Sequence, residues 1–394
     1  MSAAHSVPAA IAALGLPLLL TQSVLGLRVL YRLLLTAGGD RIAAADHAPD
    51  GSGDITAVVP VLNEYDRLGP CLDGLIQQGP SVREILVVDG GSEDGTPDLV
   101  RQYQHRDPRV RLIDSTPIPS GWNGKAWGLQ VGLREADHET TWILTIDADV
   151  RPQPLLASSV VAHAARSGLA VLSVATEQEL SGESAGLIHP SLLATLVYRF
   201  GIPGRAAREP ADVQANGQCM LLRRDVLMRA GGFTVARASL CEDVTLARAL
   251  ATAGWPVGFF ESDSLVSTHM YANGWEAFSN WTRSLPMRDR LAAWPSLLSL
   301  TEVALAQALP LPLVWLLSGR PQGTVGRWLL RVNMILLVTR LGILFGTSRA
   351  YPQRPWTYWL SPLLDVPVAI QLWRSVLRRN HAWRGRVMVT GDGI

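Results

Sequence analysis

Residues 7–27 contain no charged side chain, and a run of about 20 apolar residues is enough helix to cross the hydrocarbon of a bilayer. No basic stretch precedes the run, so it reads as a retained anchor rather than a cleaved export signal. Arg28, Arg32 and Arg41 follow closely, and the positive-inside rule then puts residue 40 onward on the cytoplasmic side. A second apolar region covers 295–318, 327–346 and 356–373. Each segment is interrupted: Glu302, Pro310 and Pro312 fall in the first, Arg331 and Arg340 in the second, Asp365 and Pro367 in the third. Residues 374–394 carry Arg374, Arg378, Arg379, Arg384 and Arg386 and read as a basic cytoplasmic tail. A middle and a tail on one side require an even number of crossings, which two spans satisfy if 295–318 is re-entrant or interfacial. Tryptophan follows the same division, since ten of the 13 lie at or beyond Trp255, as side chains of a membrane interface would.

Composition agrees with that division. Only 18% of the 394 residues are charged and 48% are hydrophobic, against about 25% charged in a typical soluble domain. A net charge of +1 excludes a basic nucleic-acid binder and an acidic disordered chain. Cys71, Cys219 and Cys241 are scattered and odd in number, which fits a reducing compartment better than a disulfide or zinc framework. Among the 35 basic residues Lys125 is the only lysine, either by chance or because its position needs the compact ammonium that arginine lacks.

The middle, 53–290, reads as an α/β domain. Ile- and Val-rich runs at 55–62, 84–91, 141–149 and 169–176 end in Pro, Asn, Gly or acidic residues, and helical patterns such as 66–77 and 96–104 separate them. Alternation of this kind predicts a mainly parallel sheet with helices on both faces and ligands at the carboxyl ends of the strands. The polar residues cluster there. The first run ends in Pro60, Asn63 and Glu64. The second ends in Asp89 and a glycine turn, where backbone N–H groups can approach a ligand. The third ends in Asp147-Ala148-Asp149. Carboxylates at i and i+2 of a strand face the same way and suit a hard cation such as Mg²⁺ or Mn²⁺, which bridges phosphates. Lys125, in Gly124-Lys125 before a helix, can place its ammonium near a diphosphate. Glu242-Asp243 opens a helix at 243–252, where a carboxylate is stabilised by the helix N-terminus and can act as a general base. His269 follows a further strand-like run and can complete a metal shell. Each motif alone also has a bland reading, as a capped turn, a solvated lysine or a structural histidine.

In order, VPVLNE, VVDGGSEDGT, WNGKAWGL, DAD, NGQCMLLRR, RAGGF and CEDVTLARAL resemble glycosyltransferase family 2, with its GT-A fold, over about residues 54–270. The resemblance implies that Pro60, Asn63, Glu64 and Asp89 line a nucleotide pocket, with Lys125 and Asp147 beside it. It implies that Asp149 ligates the metal directly and that His269 joins it. Gly217, Gln218 and Glu242 would sit by the donor sugar and acceptor, with Asp243 as the base. A nucleotide-diphosphate sugar would be the donor. The Gln/Arg-x-x-Arg-Trp motif of processive synthases is missing: Asn280-Trp281-Thr282-Arg283 and Arg327-Trp328 do not fit its spacing. The layout looks more like the lipid-directed branch of carotenoid and hopanoid-associated glycosyltransferases. That implies an inverting, non-processive, membrane-integral enzyme with a cytoplasmic catalytic domain, moving a hexose or deoxyhexose to a hydroxylated isoprenoid. Arg283, Arg288 and Arg290, interleaved with Leu285, Met287 and Leu291, suit the headgroup boundary, and the apolar stretch 184–202 offers surface to a lipid. Transfer to a polyprenyl phosphate or a glycerolipid, and a non-catalytic membrane scaffold, are the competing readings.

Overall fold

The computed structural model describes residues 6–47, 54–285, 293–377, 380–383 and 386–389. Arg288, Arg290, Met287 and Leu291, and Arg378, Arg379 and Arg384 of the basic tail, lie outside the described residues. The chain packs into two compact units, one from Gly39–Glu179 and Pro203–Met270, the other from Met1–Gly38, Leu180–Ile202 and Tyr271–Ile394.

The first unit is the α/β unit. Its strands are β1 (Arg41–Ile42), β2 (Ile55–Val61), β3 (Val82–Asp89), β4 (Val110–Asp114), β5 (Trp142–Ile146), β6 (Val150–Pro152), β7 (Val171–Ala175), β8 (Glu177–Gln178), β9 (Arg205–Ala206), β10 (Cys219–Arg223), β11 (Val257–Ser262) and β12 (Val266–Thr268). The main sheet runs β1-β11-β7-β10-β5-β2-β3-β4, with β9 on β11, and β6-β12-β8 form a small second sheet. Most neighbours are parallel. β10 is the interior exception, antiparallel to both β5 and β7. Side chains alternate across the sheet as a period of two requires. Ile55, Ala57 and Val59 of β2 and Ile85 and Val87 of β3 enter one core with Leu68, Leu72, Val100 and Val160. Val58, Leu86 and Val88 enter the other with Leu129, Leu133, Leu246 and Leu250. Helices Tyr65–Ile76, Thr96–Arg106 and Leu156–Ser167 therefore cover one face, and Gly124–Glu135 and Glu242–Thr252 the other.

The second unit is helical. It contains Ser6–Thr36, Gly182–Phe200, Gly274–Ser284, Thr324–Thr347 and Asp365–Leu377. A further helix, Ala293–Glu302, passes through a wider turn at Val303–Ala308 into Pro310–Ser318. The apolar stretch at 184–202 thus packs in this unit. Leu14–Thr36, Trp294–Ser318 and Thr324–Ala350 are long and apolar enough to cross a membrane. The 295–318 segment is helical from end to end, and the wider turn lies just before its prolines. The 356–373 segment instead starts as a 3₁₀ helix, Trp356–Leu364. Three of the charges that interrupt these segments, Glu302, Arg340 and Asp365, are paired inside the unit, while Arg331 lies over the Trp328 ring. Glu302 is 1% exposed and meets Arg28 at 2.8 Å and Arg32 at 3.1 Å. Arg340 meets Asp365 at 2.7 Å, and Gln307 donates to Asp365 at 2.8 Å.

Candidate active site

Every singled-out residue from Pro60 to His269 belongs to the α/β unit, at the end of the sheet where the parallel strands finish. The loops after β2 and β3 lock together. Asn63 adopts φ 55°, a left-handed conformation that asparagine tolerates. Its Oδ1 accepts from the Glu93 N–H at 2.8 Å, and its own N–H donates to Ser92 Oγ at 2.8 Å. The Glu64 and Tyr65 N–H groups donate to Thr96 Oγ1 and Asp94. Asp89 holds its own turn, accepting from the Gly91 and Ser92 N–H groups. Partial burial pushes the Asp94 carboxyl up, but hydrogen bonds from Thr96 and the Tyr65 N–H outweigh it and hold it below its ordinary value. The result is a rigid rim at the expected nucleotide position, with the Asp89 carboxylate committed to that rim.

Beyond β5 the backwards run of β10 decides the geometry. Cys219 pairs with Ile146, so Gly217 and Gln218, which precede β10, arrive beside Asp147, which follows β5. The Asp147 N–H donates to the Gln218 carbonyl at 3.1 Å. The Gln218 side chain is buried. Its amide accepts from Thr176 at 2.5 Å and Asn216 at 2.8 Å and donates to Thr268 at 3.3 Å. Gln218 thus organises the floor of the site from below. Thr176 and Asn216, which do the same work, carry no signal of it in the sequence beyond their places at strand ends. β12 brings His269 in from the other side: its N–H donates to the Asp149 carbonyl at 3.1 Å.

The helix Gly124–Glu135 is capped by Asn123, whose Oδ1 accepts from the Lys125 N–H. That cap starts the helix where Lys125 Nζ lies 2.7 Å from Asp147 Oδ1, 2.9 Å from Asp147 Oδ2 and 2.9 Å from Glu242 Oε1. The next residue, Asp243, accepts from the Gly217 N–H at 2.7 Å through Oδ2 and from the Val244 N–H at 2.8 Å through Oδ1. Burial raises the Asp147 and Asp149 carboxyls above their ordinary values. Lys125 opposes that shift in both, while Asp149 and Glu242 add to it at Asp147 and Glu64 adds to it at Asp149. Burial works against the Lys125 charge, yet Asp147, Glu242 and Asp243 keep its pKa well above the ordinary range. Lys125, with Arg67 acting on Asp149 and Glu64, is outnumbered by these carboxylates, and the excess of negative charge favours a further cation.

No three His, Cys, Asp or Glu side chains form a ready metal cage among the described residues. Mg²⁺ and Mn²⁺ bound to a phosphate substrate do not need one, because they keep waters and phosphate oxygens and lean on one or two carboxylates. Asp149 fits that pattern: its Oδ1 is buried and has no hydrogen-bond partner. Asp147, by contrast, has both oxygens on Lys125.

Residues 56–231 match the model of the family described as "Glycosyl transferase family 2". They form a glycosyl transferase family 2 domain. Among curated proteins, the chain is 26% identical over 238 residues to a 4,4'-diaponeurosporenoate glycosyltransferase of Staphylococcus aureus (strain USA300), covering 59% of this chain and 60% of the relative. The protein of strain MRSA252 is 25% identical over 239 residues with the same coverage. The chain thus spans about 60% of the length of these curated relatives. Among solved structures, a mannosyltransferase from Pyrobaculum calidifontis in complex with GDP-Man and Mn²⁺ superimposes with a TM-score of 0.52 at 20% identity, covering 92% of this chain and 98% of that one. The likeness shows that the family 2 domain here has the GT-A-like fold.

Proposed function

We propose that the protein is an inverting, non-processive glycosyltransferase that moves a hexose or deoxyhexose from a nucleotide diphosphate to a hydroxyl of a membrane isoprenoid. The reading rests on Asp149, which has an unpartnered buried oxygen, and on Asp243, held by the Gly217 N–H, whose chain neighbours Asp147 and Glu242 are joined through Lys125. The family 2 match, and relatives named for a carotenoid acid, support the choice of reaction and of acceptor.

In this reading the interlocked loops at Asn63 and Asp89 seat the nucleotide. Asp149 Oδ1 would hold Mg²⁺ or Mn²⁺ with His269 nearby, and the cation would neutralise charge on the leaving diphosphate. Asp243 takes the proton of the acceptor hydroxyl as its oxygen attacks the anomeric carbon. The bond from that carbon to the diphosphate breaks on the opposite face, so the configuration inverts. The two backbone N–H groups on Asp243 fix the direction from which the proton is taken.

The three long apolar helices support residence in a membrane, and Arg41 with the basic tail supports a cytoplasmic catalytic unit. The test is purified full-length protein with labelled UDP-glucose and GDP-mannose, Mn²⁺, and hydroxylated or carboxylated carotenoids in detergent. Labelled lipid of inverted configuration that disappears on chelation is the expected result. Transfer only to polyprenyl phosphate or diacylglycerol would move the assignment to another lipid, and no transfer to any lipid would remove it.

A further inference from the structure

Lys125 was expected to meet a diphosphate, yet its surroundings describe another task. An ammonium has three donors, and here three carboxylate oxygens stand at 2.7, 2.9 and 2.9 Å: two of Asp147 and one of Glu242. Its charge is met within the protein by two carboxylates. The side chain is 19% exposed, and Glu242 only 6%. The segment that carries Lys125 also grips the approach to the Glu242–Thr252 helix, because the Asn123 amide donates to the Ser239 carbonyl at 2.9 Å. A Cβ at Gly217 would lie 3.2 Å from Lys125 Nζ and 3.2 Å from Asp243 Oδ2, so the ammonium and the base both stand close against this glycine. In a chain whose other Lys/Arg positions are all arginine, this one holds the smaller cation.

We propose that Lys125 is a positioning residue: its ammonium ties the Asp147 turn to Glu242, and so holds the first turn of the Glu242–Thr252 helix and the Asp243 carboxylate against Gly217. The consequence for catalysis rests on the reading of Asp243 as the base; the mechanical link does not. A further consequence separates the two acidic residues after β5. Lys125 satisfies Asp147, which leaves the Asp149 oxygen as the one open to a cation.

The link is tested first without turnover, by hydrogen–deuterium exchange on the full chain in detergent. Lys125→Met should speed exchange of the Gly217 and Val244 amides by about tenfold or more while β3 stays protected. Unchanged exchange at both amides overturns the proposal, whatever the enzyme does. In turnover, Lys125→Met should lower kcat by roughly 10²-fold, the order expected when a reacting group is misplaced. The Kd for UDP or GDP with Mn²⁺ should stay within about threefold. A loss of nucleotide affinity as large as the loss in kcat would make Lys125 a diphosphate ligand and overturn the proposal. The double variant Lys125→Met/Glu242→Gln should be no slower than Lys125→Met, since both cut one link; multiplied losses overturn it. If Lys125→Met does not fold, Glu242→Gln alone, which leaves the ammonium on Asp147, carries the same exchange prediction. Wild-type protein without any sugar transfer would sink the proposed function and leave the exchange result to decide the link.

Discussion

Asp243 has each carboxylate oxygen on a backbone N–H, so Asp243→Asn removes its ability to take a proton and also turns one acceptor into an NH₂ that faces a backbone donor. Transfer should fall about 10²–10⁴-fold, with UDP or GDP binding nearly unchanged and Tm lowered by the one backbone donor left without an acceptor; activity within threefold of wild type would refute the base assignment. Asp94 makes a different kind of prediction. Its folded pKa is depressed, so the stability it adds is present above the unfolded value of about 3.9 and lost as pH falls through the lower folded value. The Tm gap between wild type and Asp94→Asn should therefore be constant from pH 5 to 7 and close below about pH 4. The acidic, amide and lysine side chains of the site were visible in the sequence because strand ends rich in such groups are rare away from ligands. Their partners were not. Nothing in the string says that Asp89 spends its oxygens on the Gly91 and Ser92 N–H groups, or that the Gln218 amide is consumed by Thr176, Asn216 and Thr268.

At the scale of elements, the parallel strands were legible because each is an apolar run closed by a turn signal. β4 was not: Val110–Asp114, at the sheet edge, is broken by Arg111 and lacks a continuous apolar run. The direction of β10 was also hidden, since Cys219–Arg223 reads alike from either end and only its register with β5 reveals the reversal. That reversal sets Gly217 against Asp243. Gly217→Ala adds a Cβ 3.2 Å from the Asp243 Cβ, a spacing that one side or the other must relieve. We expect kcat to drop by roughly 10²-fold as the base shifts, with nucleotide KM nearly constant. A change in KM alone would mean that Gly217 serves the donor instead. The helix through 294–318 shows the converse limit of sequence reading. Glu302 and two prolines argue for a break, but Arg28 and Arg32 neutralise the acid, and the wider turn at Val303–Ala308 absorbs the register change before Pro310. Exposed Trp294, Trp315, Trp328 and Trp356 mark the tryptophan enrichment as surface rather than core.

Taken as a whole, the molecule gives buried charges in both units partners of opposite sign. In the helical unit, Arg340 and Asp365 are 1% and 3% exposed and 2.7 Å apart. Removing one partner leaves the other stranded, so Asp365→Ala should cost about 3–5 kcal/mol of unfolding free energy, whereas Arg340→Met/Asp365→Leu should recover most of it. Denaturation in detergent micelles measures both, and a double variant as unstable as the single would show that the pair does more than neutralise itself. In the α/β unit the set is unequal, the Lys125 ammonium and the Arg67 guanidinium against several more carboxylates, and the imbalance sits where chemistry is proposed. Because that ammonium is the sole primary amine on any side chain of the sequence, the protein carries a built-in chemical reporter. A mild acylating reagent should spare Nζ while it is clasped and modify it once the clasp loosens, so the mass added to the peptide that carries Lys125, apart from the reactive α-amine, reads the state of the site without an engineered label.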